Sequence, residues 1–394
     1  MATPAQRTNT WTLDEWYDQA VAGTQGEFIT GGQLWSWGGN TRGQLGLNAG
    51  APAQKSSPTQ VGTDTTWNKI GKGPDYDESW FRYCIKSDST LWGWGYNSDK
   101  GNLGLNDRTN RSSPTQVPGS WSKITSNNRW NLAIKSDGSL WSWGYANTGN
   151  LGQWGPDVQT SSPVQVPGFS SGNKATACNN NSAHVIKTDG TMWTWGDNAF
   201  GQQGMNDRTD TRSPRQVGTD TTWADCAAGQ KSIVATKTDG TLWGWGINDN
   251  GCSGHSAPNN SSLSSPTQIG TGTDWNPDTL SRGRNVAGCI KTDGSLYVWG
   301  RNQQGMMGIN DIVNRSSPIQ LPGTYRKVSM GYQAAGFIKT DGTLWSAGYN
   351  GTGVLGQNTG GPGRRSSPVQ VGSSTTWRLV FSGSSDSMLA IKNI

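Results

Sequence analysis

Residues suited to catalysis are few in this chain. Only two histidines occur, His184 and His255, and neither is spaced with cysteines or carboxylates in a pattern that holds a metal ion. The one Gly-x-Ser-x-Gly match, Gly168 to Gly172, is not followed by the helix that a nucleophile elbow requires. His184 lies in a run typical of a strand, where a packed or edge histidine is a simpler interpretation than a general base. We therefore expect a non-enzymatic protein with no catalytic, metal-binding or cofactor-binding residue, although an acid/base pair of carboxylates depends on spatial rather than sequential proximity.

An insertion offers residues suited to recognition. Trp67 precedes Lys86 by 19 positions, whereas Trp121 precedes Lys135 by 14 in an otherwise similar stretch. The extra residues, 71–81, mix aromatic side chains with carboxylates, and aromatic residues dominate interface hot spots. Two interpretations stay open, a tolerated surface loop and a partner-binding loop. The candidate binding residues are Asp75, Tyr76, Asp77, Glu78 and Trp80.

A positive residue recurs at one point of the repeat, three residues before a proline, with one copy displaced by one residue. Repetition around a ring predicts that these cations lie on one rim, where they would attract an acidic glycan or a carboxylate surface. The alternative is that each one packs over a tryptophan of its own or the next unit. The five residues are Lys55, Arg111, Arg212, Arg315 and Arg365.

The five cysteines are an odd number, so at least one has no partner within the chain. No Cys-x-x-Cys pair suggests zinc. Cys84 and Cys289 occupy the same place in two separate repeats, too far apart to form a disulfide. We expect small buried side chains rather than a disulfide framework.

These residues must be positioned by a repeated β unit. A run close to Leu-Trp-x-Trp-Gly occurs seven times, and before most copies an Asp-Gly pair separates it from another β-like run. Asp-Gly between such runs is a strong signal for a hairpin with a type I′ turn. The copies begin at Leu34, Leu91, Leu140, Met192, Leu242, Leu296 and Leu344.

The rest of each unit supplies two more strands. After the hairpin come an Asn-x-x-Gly-x-x-Gly loop, a Ser-Pro-x-Gln element and an aromatic-led run. Four strands in each of seven units predict an all-β, seven-bladed propeller. We expect the last run, Leu389 to Lys392, to join the first blade and close the ring, with Glu27 to Thr30 as competitor for that place. Residues 26–394 would form the propeller and 1–25 a non-repeat segment with a short helix, either an attachment element or a cap.

The motifs resemble those of the regulator of chromosome condensation family. The resemblance rests on Trp-x-Trp-Gly-x-Asn, Gly-Gln-Leu-Gly at Gly43 to Gly46, Ser-Pro-x-Gln-Val and Lys-Thr-Asp-Gly-Thr, and it covers roughly residues 27–394. It implies a seven-bladed propeller. Members include a guanine-nucleotide exchange factor, a plant photoreceptor, β-lactamase inhibitors and phage and bacterial proteins, so no single function is implied. The close similarity among the repeats is most like that of the phage and bacterial members. The photoreceptor's Gly-Trp-Arg-His-Thr signature is absent.

Composition narrows the partners. Charged residues make up 15% of the chain, below the roughly 25% of ordinary soluble proteins. The net charge of +5 is spread without a basic cluster, so we expect no nucleic-acid partner. No apolar run suggests a signal peptide or membrane insertion. A surface of neutral polar groups suits extracellular or particle-associated proteins.

We therefore predict a phage virion protein on the particle surface, which contacts other virion proteins or a host-surface protein or glycan. The first alternative is a bacterial protein-binding module that uses one propeller face and resides as a soluble protein in the cytoplasm. The second is a regulator of a small GTPase.

Overall fold

The computed structural model describes residues 31–48, 54–72, 80–97, 100–127, 129–256, 259–361, 363–382 and 386–394. Within them lie 26 β-strands and two short 3-10 helices, Asp249–Gly251 and Pro277–Thr279. The first 13 strands are β1 (Gln33–Gly38), β2 (Lys55–Gln60), β3 (Trp67–Ile70), β4 (Phe81–Lys86), β5 (Thr90–Gly95), β6 (Arg111–Ser126), β7 (Trp130–Lys135), β8 (Leu140–Gly144), β9 (Thr160–Gln165), β10 (Asn173–Cys178), β11 (Ser182–Lys187), β12 (Met192–Gly196) and β13 (Thr211–Gln216).

The second half of the chain continues the same series. Its strands are β14 (Trp223–Ala228), β15 (Ser232–Lys237), β16 (Leu242–Ile247), β17 (Ser262–Gln268), β18 (Ser281–Arg282), β19 (Val286–Ile290), β20 (Ser295–Gly300), β21 (Arg315–Met330), β22 (Ala334–Lys339), β23 (Leu344–Tyr349), β24 (Arg364–Gln370), β25 (Trp377–Ser382) and β26 (Ser387–Lys392).

The strands form seven antiparallel, four-stranded blades, which confirms the predicted propeller. Blade 1 has the order β25-β26-β1-β2, and blade 4 and blade 5 are β10 to β13 and β14 to β17. The long strands β6 and β21 each end one blade and begin the next. Blade 2 is therefore β3 to β6, blade 3 is β6 to β9, blade 6 is β18 to β21 and blade 7 is β21 to β24.

Ring closure follows the prediction made for the last strand. The register pairs Leu34 with Ile391 and Trp37 with Met388. The preceding strand β25 also belongs to blade 1, so two strands from each end of the propeller complete this blade. The competing segment, 27–30, and the predicted N-terminal helix within 1–25 lie outside the described residues.

Each Asp-Gly hairpin is held by side chains as well as by its backbone. In blade 4 the Thr191 N–H and hydroxyl both donate to Asp189 Oδ1, at 2.9 and 2.7 Å, and the Trp193 indole N–H donates to Thr191 Oγ1 at 3.0 Å. Lys187 Nζ lies 4.8 Å from the centroid of the Trp193 ring. The lysine or its equivalent contacts the first aromatic ring of the motif in every blade.

The second tryptophan of the motif joins neighbouring blades. Trp245 of blade 5 is fully buried and donates its indole N–H to the Gln202 carbonyl in the blade 4 loop at 2.9 Å. That loop is shaped by Asn198, whose Oδ1 accepts the Gln203 N–H at 2.9 Å. Gly204 has φ +74°, and a Cβ there would lie 2.9 Å from Trp245 Nε1. The glycine is therefore required by the close approach of two blades.

Candidate functional site

The two ends of the propeller differ in the connections they carry. In an antiparallel blade, the connection from the first strand to the second and the connection from the third to the fourth lie at the same end. We call this end the loop face, because it carries the Asn-x-x-Gly loops and the insertion at 71–81. The opposite end carries the Asp-Gly hairpins and is called the turn face. The predicted recognition residues belong to the loop face or its rim.

Trp80 is part of an aromatic and cationic cluster on the loop face. Its ring meets Tyr96 edge-on, with ring centroids 5.7 Å apart. Arg42 from blade 1 reaches over both rings, with its guanidinium carbon 5.1 Å from the Trp80 centroid and 5.2 Å from that of Tyr96. Trp80 and Tyr96 remain half-buried and Arg42 is exposed. The cluster combines the three residue types that dominate protein interfaces.

Similar contacts recur on the same face at other blade junctions. Between blades 2 and 3, Lys100 Nζ lies 4.9 Å from the centroid of Tyr145, and between blades 4 and 5, Lys231 Nζ lies 4.0 Å from that of Phe200. Blades 6 and 7 meet where two arginines flank one tyrosine. We call the set the cation–aromatic belt. Its residues are Arg42, Trp80, Tyr96, Lys100, Arg129, Tyr145, Phe200, Lys231, Arg284, Arg301 and Tyr332.

Of the belt residues, the sequence analysis identified only Trp80. A signal for some others was present, because Tyr96 and Tyr145 each follow directly after a Trp-x-Trp-Gly run. Arg42 and Lys100, which contact these two tyrosines, come from the preceding blade, and this pairing becomes visible only when the blades are stacked.

The acidic part of the insertion, Asp75, Tyr76, Asp77 and Glu78, lies outside the described residues. Its flanks are described. Lys72 continues the inner strand of blade 2 against blade 3, where its N–H donates to the Ile124 carbonyl at 3.2 Å. The described flanks of the insertion therefore lie beside the central channel, at Lys72, and in the belt, at Trp80.

The predicted rim cations do lie at equivalent points, near the start of each outer strand. Three of them are paired with carboxylates: Arg111 with Asp107 at 2.5 Å, Arg315 with Asp311 at 2.5 Å and Arg212 with Asp157 at 2.9 Å. Lys55 and Arg365 are exposed.

None of the five makes a ring contact within the described residues, so the alternative that each packs over a tryptophan is wrong. In three of the five, an aspartate of an adjacent loop binds the guanidinium instead. Stacking on tryptophan falls instead to the lysines of the turn face.

The inner strands of all seven blades surround a central channel with a cavity of about 120 Å³. Lys72 Nζ of blade 2 lies 3.5 Å from Asp225 Oδ2 of blade 5, across the channel. The charge of Asp225 raises the pKa of Lys72 above its ordinary value, whereas burial lowers the pKa of Lys123 despite that same carboxylate. Burial and the charge of Lys123 lower the pKa of Lys69 as well. Among the described residues the channel is therefore a mixed-charge environment, with lysines and aspartates facing each other.

The remaining titratable groups are positioned for structure. His184 is fully buried between the hydroxyls of Ser182 and Thr194, 3.3 and 3.2 Å from its ring nitrogens, and burial lowers its pKa to about 3. All five cysteines are buried and unpaired. In the described part of the chain, no group of three or more His, Cys, Asp or Glu could hold a metal ion, and no helix is long and apolar enough to cross a membrane.

Comparison with known proteins agrees with this architecture. The pattern of the RCC1-like domain matches residues 20–333. A curated relative, the ultraviolet-B receptor UVR8 of Arabidopsis thaliana, is 25% identical over 289 residues, which cover 73% of this chain and 53% of the receptor. The chain thus spans about half the length of that relative.

Solved structures show the same fold. Prp20p of Saccharomyces cerevisiae, described with its binding properties to Gsp1p and histones, superposes with a TM-score of 0.79 at 18% identity over 93% of this chain and 92% of that chain. Yeast RCC1 (Prp20) with Kap60 bound superposes with a TM-score of 0.79 at 19% identity, over 100% of this chain and 96% of that chain. Human WBSCR16 superposes with a TM-score of 0.76 at 18% identity, over 92% of this chain and 99% of that chain.

Proposed function

The chain belongs to the RCC1-like domain family, and on that premise we propose that it is a non-enzymatic propeller that binds a protein partner through its loop face. The observation that carries the proposal is the cation–aromatic belt. Tryptophan, tyrosine and arginine are the side chains that contribute most to protein interfaces, and here they are held half-exposed by rigid blades. Such preorganisation lowers the entropy cost of binding.

The side chains of the turn face are more fully engaged within their own blades than those of the belt. On the turn face the lysines and tryptophans also stack, but the tryptophans form hydrogen bonds to their own hairpins, as Trp193 does with Thr191. The turn-face lysines are partly engaged as well, since Lys86 pairs with Asp64 and Lys237 with Asp220, both at 2.5 Å. The turn face therefore serves as a matched control for the loop face.

The experiment first identifies the stoichiometric partner that co-purifies with the native protein. The affinity of this partner is then measured for the native protein and for variants of each face. Trp80→Ala combined with Tyr145→Ala should weaken binding at least roughly a hundredfold, because two hot-spot aromatics are removed. Lys187→Ala combined with Lys339→Ala on the turn face should leave the affinity unchanged. Equal affinity of the loop-face variant and the native protein, with both folded by circular dichroism, would contradict the proposal.

The finer form of the proposal places the propeller on a phage particle, where it would contact other virion proteins or a host-surface protein or glycan. It is supported by the low charged fraction of 15% and by repeats that are alike in the manner of phage members. Quantitative mass spectrometry of purified particles tests this location. Detection only in host cytosol would count against the virion and favour a cytoplasmic binding module, whereas accelerated nucleotide release from a small GTPase would favour a regulator.

A further inference from the structure

Neighbouring blades are joined at their outer edge by a repeated pair of hydrogen bonds. In blade 1, Asn48 adopts φ +52°, donates its N–H to the Ser112 carbonyl of blade 2 at 2.8 Å, and accepts the Ser113 hydroxyl on its Oδ1 at 3.2 Å. We call this arrangement the interblade clasp. It recurs in full with Asn106, Asn206, Asn310 and Asn358, and by its backbone bond alone with Ser256.

The junction between blades 3 and 4 departs from this pattern. Trp154 stands where the other loops have asparagine or serine, and it keeps the left-handed backbone at φ +57° although a bulky residue is strained there. Within the described residues its N–H makes no backbone hydrogen bond to blade 4, and Ser213, the serine before the proline, does not take part in a clasp. The Trp154 side chain is 59% exposed. A large ring is thus displayed at a place where a small polar residue would stabilise the ring of blades.

Blade 4 departs from the repeat at the matching point. Arg212 occupies the position of Ser112, and its guanidinium donates to the carboxylate of Asp157 at 2.9 Å and to the Gly155 carbonyl at 3.4 Å. Asp157 also accepts the Gly149 N–H at 2.8 Å, which ties the loop to its own blade. Two departures on facing blades therefore build one local structure.

That structure contains a cleft of about 300 Å³. Its apolar wall comes from Leu151, Trp154, Pro156 and Val158, and its polar wall includes Gln153, Asp157 and Thr160. The hydroxyl of Thr160 has no hydrogen-bond partner within the described residues. Asp157 and Arg212 neutralise each other, so the cleft offers a flat aromatic surface and hydrogen-bonding groups without net charge.

We propose that this cleft binds a neutral saccharide. The exposed indole supplies a face for the C–H groups of a sugar ring, and the Gln153 amide and the Asp157 carboxylate in the cleft wall supply hydrogen bonds to hydroxyls. An acidic glycan would require a free cation, and Arg212 is already paired. A stable protein interface needs roughly 800 Å² per partner with a central apolar cluster, whereas this cleft presents a single ring at the outer edge of blade 3. The site is separate from the belt and does not depend on the proposed protein partner.

The test is affinity electrophoresis of the full chain in native gels. The neutral polysaccharides are dextran, soluble starch, galactomannan, mannan and hydroxyethyl cellulose, and alginate is the acidic comparison. The native protein should be retarded by at least one neutral polymer and not by alginate. Trp154→Asn, which installs the residue of the other blades, should weaken that binding by roughly tenfold or more. Trp154→Phe should retain part of it.

A loop-face variant provides the matched control. Trp80→Ala should be retarded like the native protein, because Trp80 belongs to the belt and not to the cleft. Absence of any retardation that depends on Trp154 across the neutral polymers would overturn the proposal. Loss of a protein partner from Trp154→Asn with unchanged saccharide binding would overturn it also, in favour of a protein-docking site.

Discussion

At the scale of single residues, burial decides what the few titratable side chains do. His184 has an imidazole and neighbouring hydroxyls, the components of a catalytic site, but it is fully buried between Ser182 and Thr194. Its contacts are those of a packed core residue, and the sequence interpretation of a packed histidine agrees with its place in β11. The sequence did not show how strongly burial affects this side chain. Burial lowers the pKa of His184 to about 3.

His184 should therefore make the fold sensitive to mild acid. The unfolded chain binds a proton at the ordinary pKa of 6.5, whereas the folded protein does so only near 3. Stability is full above pH 6.5 and falls as the pH drops toward 3, by at most about 1.4 kcal/mol per pH unit from this residue. Urea unfolding of His184→Gln from pH 7 to 4 should show a shallower loss than the native protein. Parallel curves would show that His184 is protonated in the folded state.

At the scale of elements, the loops between the third and fourth strands of each blade stabilise the contact between blades, and one of them differs in sequence from the rest. Their glycines are required because the neighbouring blade leaves no room for a Cβ, and their asparagines form the interblade clasp. Blade 3 alone places a tryptophan at the clasp position, so the same loop that is structural in other blades becomes the wall of a cleft.

Restoring the clasp should stabilise the propeller. Trp154→Asn provides an acceptor for the Ser213 hydroxyl and a residue that tolerates the left-handed backbone, which together are worth about 1 kcal/mol. Asn206→Ala, which removes an existing clasp, should cost a similar amount. Both are measured as changes in urea midpoint at unchanged slope. A lower midpoint for Trp154→Asn would mean that Trp154 is a packing residue rather than a displayed one.

A glycine that contacts the next blade should tolerate substitution by alanine far less well than an open glycine with a similar positive φ. Gly204 and Gly218 both have positive φ, +74° and +58°, but a Cβ at 204 would lie 2.9 Å from Trp245 Nε1 while nothing lies within 4 Å at 218. Gly218→Ala should cost about 1 kcal/mol from the backbone alone. Gly204→Ala should cost about 2 kcal/mol more, because the indole must move. Similar losses for the two variants would show that the blades separate without penalty.

At the scale of the whole molecule, the ring is completed only when both parts of the chain meet in blade 1. Strand β26 pairs with β1 on one side and β25 on the other, and Trp37 donates its indole N–H to the Val354 carbonyl of blade 7 at 2.7 Å. The channel and the belt exist only in the closed ring.

Removal of the closing strand should therefore disrupt the fold as a whole. Truncation after residue 386 deletes the buried residues Met388 to Ile391 and exposes two strand edges. We expect an aggregating chain or a loss of more than about 4 kcal/mol, measured by size-exclusion chromatography and near-ultraviolet circular dichroism. Deletion of Ile394 alone, which is 78% exposed, should have no effect. A cooperative monomer after the longer truncation would contradict closure through β26.

The sequence by itself determined the architecture, because its signals are local. Each Asp-Gly hairpin, each loop glycine and each Trp-x-Trp run forms within a few residues, and their regular spacing leaves a seven-bladed ring as the consistent arrangement. Only the tertiary structure decided which side chains meet. Arg42 reaches Trp80 and Arg212 reaches Asp157 across blade junctions, between residues far apart in the chain. Such pairings depend on how closed blades stack, and no local pattern encodes them.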